Sequence, residues 1–317
     1  MDYIFLGVDI AKEDITVYDG HKTLTFPNER GLKNFQRFLK KHYPRQEKSL
    51  VIIYEPTGPY SAFLEEFCAR KKLRVVRLNP RKVPYLLEVL GQRAKTDRLD
   101  AKALHAYGKI VDPSEIQILK LNEKMEKLAA LLSDYQFLKR QEVNFANHLE
   151  ALKRNPFSSP ESRSFISKQV AAFRKQIKEI RRKMEELAKE ERELAEAVEK
   201  VEEIPGVGFL TAVGLCLFFK RRKVRRREEV VALLGLDPKV RESGKGQGAR
   251  GITKRGDRML RSWLYMAALC AIRSNPEIRE FYERLRRRGK PGKVAVVACM
   301  RKLALISWAY YKMAVHT

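Results

Sequence analysis

Four acidic residues in this chain have the type and spacing that phosphodiester chemistry needs. Asp9 follows the apolar run 4–8 and Glu55 follows the apolar run 50–54, so each is expected half-exposed near the end of a buried strand. Asp97 and Asp100 lie three apart in a stretch of helical composition, 95–104, a spacing that sets both on one helix face. Four carboxylates gathered on strand ends and one helix repel each other unless cations neutralise them. Mg²⁺ or Mn²⁺ prefers such oxygen ligands, and a pair of ions can activate a nucleophile and stabilise a leaving oxygen. Each residue alone has a plainer reading. A strand-end Asp is often a turn or cap residue, Asp97 could cap its helix, and Asp100 could pair with a nearby Lys or Arg. The argument rests on the set. Asp2, Asp14 and Asp19 are weaker candidates, since none directly follows a buried apolar run.

Elements able to position these residues are legible around them. Runs 4–8 and 50–54 read as buried strands, 15–18 as a partner of the first turning through Asp19-Gly20, and 74–78 as a further strand. Leu32, Phe35, Phe38 and Leu39 have helical spacing, and a second helix is expected over about 60–71. Strands alternating with helices predict an α/β sheet domain over 1–115.

The period then changes. Ile166, Val170, Phe173, Ile177, Ile180, Met184, Leu187, Leu194, Val198 and Val201 keep a 4,3 repeat in which Glu191 is the polar intruder. Leu121, Met125, Leu128, Leu132 and Tyr135 keep it upstream, before it blurs around 139–142, and Asn155-Pro156-Phe157-Ser158-Ser159-Pro160 interrupts any helix. A coiled-coil hairpin is predicted over 116–203, as a spacer or oligomerisation arm.

A mainly α, basic domain is predicted over 204–317. It opens with Ile204-Pro205-Gly206-Val207-Gly208, a turn that is either a plain helix start or a phosphate-binding helix-hairpin-helix turn. The run 220–227 is charged at seven of eight positions, the glycine-rich stretch 242–248 is too flexible for a core, and helices are expected over 257–273 and 294–312.

The chain has 317 residues and a formal charge of +26, distributed as +6 over 1–115, +2 over 116–203 and +18 over 204–317. That concentration of one sign points to a nucleic-acid partner. No run approaches the roughly 18 apolar residues of a membrane span. The start, MDYIFLGVDI, lacks the basic region of a signal peptide. The cysteines, Cys68, Cys216, Cys270 and Cys299, are too scattered for a disulfide framework, so a reduced, cytoplasmic protein is expected. His21, His42, His105, His148 and His316 make no zinc-like spacing, and Trp263 and Trp308 sit in apolar helices as core residues.

Taken in order, Gly7-Val8-Asp9-Ile10-Ala11-Lys12, Tyr54-Glu55-Pro56-Thr57-Gly58 and Lys95-Thr96-Asp97-Arg98-Leu99-Asp100-Ala101 resemble the DEDD domain of a bacterial insertion-sequence transposase family. Its fold is RuvC-like and ribonuclease H-related. Ile204-Pro205-Gly206-Val207-Gly208, Leu234-Gly235-Leu236-Asp237-Pro238, Ser243-Gly244-Lys245-Gly246 and Ile252-Thr253-Lys254-Arg255-Gly256-Asp257 are similar to that family's second domain. The resemblance implies a bridge-RNA-guided recombinase. Asp9, Glu55, Asp97 and Asp100 would hold divalent metal, Mg²⁺ or Mn²⁺. Ser243 would attack a DNA phosphate and form a covalent intermediate. The protein would act on donor and target DNA as a homo-oligomer, a dimer or tetramer, under a guide RNA, in the cytoplasm at the nucleoid.

Beside that resemblance, Ser243 is on its own an ordinary loop serine, and no His or Asp adjoins it, so its activating group must come from elsewhere. Lys245, Arg250, Lys254 and Arg255 are placed to hold its phosphate. Lys220, Arg221, Arg222, Lys223, Arg225, Arg226 and Arg227 are candidate nucleic-acid contacts, as is the run 284–293, though each run is equally a solvated charged face. Two alternatives remain: a RuvC-like nuclease using metal and water alone, and a non-catalytic nucleic-acid scaffold.

Overall fold

The computed structural model of the chain describes residues 3–46, 48–80, 82–89, 91, 96–222, 224–239, 242–243, 246–247 and 251–315. They form two compact units, Met1–Asn122 and Glu123–Thr317.

The first unit is built on a mixed sheet. Strands β1 (Ile4–Ile10), β2 (Asp14–Tyr18) and β3 (Thr23–Pro27) form an antiparallel meander. Helix α1 (Lys33–His42) leads to β4 (Leu50–Tyr54), which lies parallel to β1. A 3₁₀ turn (Gly58–Ser61) enters α2 (Ala62–Arg70), and β5 (Arg74–Arg77) continues the sheet parallel to β4. Helices α3 (Val83–Val89) and α4 (Asp97–Gly108) follow, then β6 (Gln117–Ile118) closes the far edge antiparallel, giving the order β3-β2-β1-β4-β5-β6. All four strands read from apolar runs form. β3 and β6 were not legible, because an edge strand with mostly exposed side chains, or one of two residues, leaves no apolar run to detect.

Side-chain alternation assigns the two faces of this sheet. Leu6, Val8 and Ile10 of β1 and Leu50, Ile52 and Tyr54 of β4 share a core with Phe35 and Phe38 of α1 and Leu64 and Phe67 of α2. Val51 and Ile53 of β4 pack instead with Val83 and Leu87 of α3 and Ala103 and Leu104 of α4, with Phe5 of β1 against them. α4 crosses β1, β2 and β4.

The second unit is helical. α5 (Glu123–Arg154) and α6 (Pro160–Lys189) pack along each other as a hairpin. At its tip, Asn155 Oδ1 accepts from the Phe157 N–H at 2.9 Å. Ser159 caps α6 by accepting from the Ser162 N–H at 3.1 Å, with Pro160 in the first helical position, where its missing N–H costs nothing. The repeat positions of α6 are less exposed than their neighbours. The repeat does not run through one helix, however. It breaks at Glu190–Glu191, and α7 (Arg192–Glu202) begins with Glu191 at its N-cap; Lys124 of α5 lies 3.3 Å from the Glu190 carboxylate. The polar intruder is thus a helix boundary.

The blur at 139–142 also has a physical content. Glu142 is buried in the hairpin seam, 5% exposed, and its carboxylate meets Lys139 at 2.7 Å and Arg174 of α6 at 3.0 Å. These donors hold its carboxyl below the usual Glu range. A buried ion pair that only one alignment satisfies favours one register of the two helices.

The remaining helices are α8 (Phe209–Arg222), α9 (Arg227–Leu234), α10 (Arg258–Ser274), α11 (Pro276–Arg287) and α12 (Gly292–Val315), with a two-stranded ribbon, β7 (Glu242–Ser243) and β8 (Gly246–Gln247), between α9 and α10. Met125, Leu128 and Leu132 of α5 and Met184 of α6 join Val213, Phe219, Leu264 and Leu303 in one continuous core. The hairpin therefore shares a core with the helices beyond 203, although the two read as separate periods. By length and composition α12 is apolar enough to span a membrane. Its Cys299, Leu303 and Ala304 instead fill this core.

Glu142→Gln should lower the thermal midpoint of the helical unit by about 2–4 °C at pH 7, measured by calorimetry on the full chain. Because the folded carboxyl titrates below its ordinary value, its contribution is present above that value and fades as pH falls through the folded one. The two proteins should converge near pH 3.

Candidate active site

The four carboxylates belong to one face of one sheet. Val8 and Tyr54 are the last paired residues of the β1–β4 parallel ladder, and Asp9 and Glu55 come next, side by side at the carboxyl ends of central strands, where open α/β sheets place their ligands. By alternation Asp9 falls on the Phe5 and Gly7 face of β1, and Glu55 on the Val51 and Ile53 face of β4. That is the face α4 covers, and α4 begins at Asp97.

Gly7 makes this approach possible. A Cβ there would lie 2.0 Å from the Ala101 carbonyl oxygen and 2.4 Å from the His105 nitrogen, so the helix backbone rests directly on the strand. Gly108 does the same at the other end, where a Cβ would meet Ile53 and Phe5 at 2.6 Å. Thr96 caps the helix, its hydroxyl accepting from the Leu99 N–H at 3.3 Å. Asp97 is thus not the cap, and with Asp100 it occupies the first turn, where the helix dipole favours negative charge. Asp97 is exposed, Asp100 is 7% exposed, and Asp9 and Glu55 are half-buried.

The electrostatics register this gathering. Burial, then the charges of Asp100, Asp97 and Glu55, push the Asp9 carboxyl up to about 6, against a smaller opposing pull from the Ile10 N–H. All three other carboxylates act on Asp9, so the structure brings the four together. Among the described residues no three acidic, His or Cys side chains stand close enough to hold one ion as they are. Direct coordination by three of them therefore requires side-chain rotation. The donor chemistry nevertheless suits a hard divalent cation, since all the donors are carboxylate oxygens and their mutual repulsion is what a cation relieves.

The strand ends are braced by polar residues that the sequence did not single out. Asn28, after β3, is buried, and its Nδ2 donates to the Ala11 carbonyl at 2.8 Å and the Tyr60 carbonyl at 3.0 Å, tying the segment after Asp9 to the segment after Glu55. The Thr57 hydroxyl donates to the Ile10 carbonyl at 3.3 Å, and the Thr57 N–H donates to the Ser61 hydroxyl at 2.7 Å. The Tyr54 hydroxyl donates to Glu65 at 2.8 Å, and Glu65 pairs with Arg77 at 2.8 Å, so this fifth carboxylate is structural. Polar residues at turns are too common for such partnerships to be read from one sequence. His105 was read as one scattered histidine. It packs edge-on against Tyr18, ring centroids 5.2 Å apart, with burial and Lys109 lowering its pKa.

In the second unit Ser243 ends β7, paired with Gly246 of β8 across residues 244–245. The segment carrying the ribbon is closed at its root by the two motifs flanking it. Pro238 bridges Ile252, the Lys239 N–H donates to the Gly251 carbonyl at 3.0 Å, and the Thr253 N–H donates to the Asp237 carbonyl at 2.9 Å. The Thr253 hydroxyl donates to Asp237 Oδ1 at 2.7 Å. Gly235 ends α9 in the left-handed region, φ 66°, and its Cβ position lies 2.5 Å from the Gly256 nitrogen; a Cβ at Gly256 would lie 2.0 Å from the Leu233 carbonyl oxygen. Asp257 then caps α10, accepting from the Met259 and Leu260 N–H groups. In the turn 204–208, Gly206 (φ 97°) sits against the α10 backbone, its Cβ position 2.5 Å from the Ala271 nitrogen. That glycine thus answers a packing need.

The proposed cations divide by partner. Lys220 pairs with Glu193 at 2.9 Å and Arg221 with Glu126, so both help bind the unit's own helices together. Arg225, Arg226, Arg227, Lys254 and Arg255 are exposed, as is Arg222. Lys223, Lys245 and Arg250 lie outside the described residues. Arg284, Arg286, Arg287, Arg288, Lys290 and Lys293, at the end of α11 and the start of α12, are exposed and form no ion pair among the described residues.

Residues 6–154 match the family model of a DEDD-type IS110 transposase, and residues 198–283 match that described as "Transposase IS116/IS110/IS902 family". The chain is similar to the "Pilin gene-inverting protein" of Moraxella bovis, 28% identical over 98% of this chain and 96% of that protein. The protein of the same description from Moraxella lacunata is 28% identical over the same shares. The "Transposase for insertion sequence element IS1111A" of Coxiella burnetii is 35% identical over 25% of this chain and 22% of its own length.

Asp9→Asn removes a charge that its surroundings oppose. Asp9 titrates above its ordinary 3.8, so the folded state prefers the proton on, and stability declines as pH climbs to about 6. After allowance for partial exposure the cost at pH 7.5 is on the order of 1–2 kcal/mol. Asp9→Asn should therefore melt about 2–5 °C higher than the wild type at pH 7.5 and no higher near pH 4, by calorimetry. Mg²⁺ or Mn²⁺ should narrow the gap at pH 7.5 by raising the wild type.

Proposed function

This chain belongs to the insertion-sequence DEDD transposases, and from that membership we propose that it is an RNA-guided DNA recombinase with Ser243 as nucleophile and a metal-binding carboxylate centre. It is an enzyme, a DNA transposase/recombinase. The observation that carries the proposal is the convergence of Asp9, Glu55, Asp97 and Asp100 on one sheet face, with Asp9 raised to about 6. Carboxylates at the ends of parallel central strands, under a helix that brings two more, support a RuvC-like, ribonuclease H-related reading of the first unit. The family suggests a divalent metal, and we assign Mg²⁺ or Mn²⁺ on the all-oxygen donor set.

When bound, the metal supplies Lewis-acid stabilisation of charge developing on the phosphate oxygens. The chain's own residues do the rest. Asp9 and Glu55 are held by strands and Asp97 and Asp100 by a capped helix, so the ligands start near their working positions. Ser243 Oγ forms a bond to phosphorus as one P–O bond to a sugar breaks. The freed sugar oxygen leaves as a hydroxyl with the proton the serine gave up, and the phosphate stays on the protein. The reverse attack by another DNA hydroxyl would complete strand transfer. Lys254 and Arg255, exposed beside the closed root of the ribbon, would hold the phosphate, with Lys245 and Arg250 from the same segment.

The division of labour we propose is a carboxylate domain over 1–115, a coiled-coil hairpin over 116–203 that joins subunits into a dimer or tetramer, and a basic serine domain over 204–317. The charge of the last third supports both a guide RNA and donor and target DNA as partners, at the nucleoid in the cytoplasm. The gene-inverting relatives, matched over nearly their whole length, support action on DNA segments.

The test is an adduct assay with Mg²⁺, RNA from the element's flanks and end-labelled donor DNA, resolved on a denaturing gel. The wild type should give a labelled protein–DNA band, absent in Ser243→Ala and reduced at least about 100-fold in Asp9→Asn. Cleavage without any adduct, surviving in Ser243→Ala, would sink the serine step and leave a water-using nuclease. Binding without cleavage in every protein would favour a scaffold.

A further inference from the structure

Two exposed aromatic side chains stand beside the carboxylates, unexplained by the fold. Tyr60, in the 3₁₀ turn after Glu55, is 45% exposed, and Phe63, in the first turn of α2, is 38% exposed. They are three residues apart through helical turns, so they lie on one side of the chain. Their backbone is held firmly. The Tyr60 carbonyl and the Ala11 carbonyl accept from the same Asn28 nitrogen, and Ala11 is two residues past Asp9. The 3₁₀ turn is tied to the end of β1 again through Thr57. The rings themselves are left in water. The loop's residues 57 and 61, by contrast, are half-buried or buried, so the pattern is a rigid turn presenting aromatic surface.

We propose that Tyr60 and Phe63 form a ledge on which a base of the DNA strand stacks, next to the phosphate brought to the carboxylates; this rests on the carboxylate centre being the reaction site. Three observations favour a nucleobase as occupant. The ledge is continuous with the carboxylate centre through Asn28. A planar ring accepts any base face without reading its sequence, which suits a protein whose sequence choice is supplied elsewhere. A protein of charge +26 brings a polyanion, not a neutral apolar partner, to this surface. The ledge fixes the base, and so sets the register of the phosphate.

The experiment uses full-length protein, flank-derived RNA and donor DNA carrying 2-aminopurine on either side of the cut, with Ca²⁺ for binding and Mg²⁺ for cleavage. Stacking quenches the fluorescence of 2-aminopurine. The wild type should quench it at one position, Tyr60→Ala should lose that quenching and bind and cleave about tenfold less well, and Tyr60→Phe should restore both. Tyr60→Ala should still fold, because the turn is held by the residue's carbonyl; an unchanged melting midpoint checks this. Tyr85→Ala, which removes an exposed ring on α3, should match the wild type. Wild-type quenching and cleavage in Tyr60→Ala, or equal losses in Tyr85→Ala, would overturn the ledge. Asp9→Asn separates the two claims: it should quench normally and not cleave. If it cleaves, the carboxylate reading fails, whatever Tyr60 does.

Discussion

The carboxylate centre depends on a helix lying against a strand with no side chain between them. At Gly7 the α4 backbone comes within a distance at which one methyl group would collide with a carbonyl oxygen. Everything chemical in the first unit follows from that contact. It lets the first turn of α4 reach the face on which β1 and β4 present Asp9 and Glu55. It also sets like charges beside one another, and the strain appears as a carboxyl that holds its proton too long. The Asn28 and Thr57 hydrogen bonds resist this repulsion by tying the strand ends to the following loop.

The segment bearing Ser243 relies on the same device in a different setting. Gly235 and Gly256 bring two stretches of backbone together, and the Pro238–Ile252 bridge and the Asp237–Thr253 bond complete the closure. In sequence these are two short motifs nearly twenty residues apart. In the structure they are one joint, and what they share is the root of the serine ribbon. The glycines serve here as spacers that permit contact between main chains.

How much of this was legible depended on the kind of signal. Buried central strands announce themselves by composition, so runs 4–8 and 50–54 located Asp9 and Glu55 correctly at strand ends. Helical spacing gave Asp97 and Asp100 their common face, and the turn at 155–160 fixed the tip of the hairpin. Long-range partnerships were out of reach. Nothing local marks Asn28 as a brace, Gly7 as a point of contact, or Glu142 as a seam residue satisfied by a cation on another helix. Charge runs misled for the same reason: the run 220–227 looked uniformly available, yet Lys220 and Arg221 are bound to glutamates far away in sequence. Heptad spacing overstated continuity, because apolar phase is kept across the break before α7.

Gly7 and Asp9 are two residues apart and answer to different selective pressures. Every possible replacement at position 7 adds at least one carbon where the α4 carbonyl already stands, so the residue is fixed by the need to fold. The acidic residues are fixed only by the need to react, and the fold gains when Asp9 loses its charge. A copy of this element no longer required to move, but still made, would drift at the carboxylates and keep its glycine. Across degenerate copies, position 7 therefore records foldedness and position 9 records the capacity to transpose. A reader of genomes can tell a silent element from a working one by where these two records part.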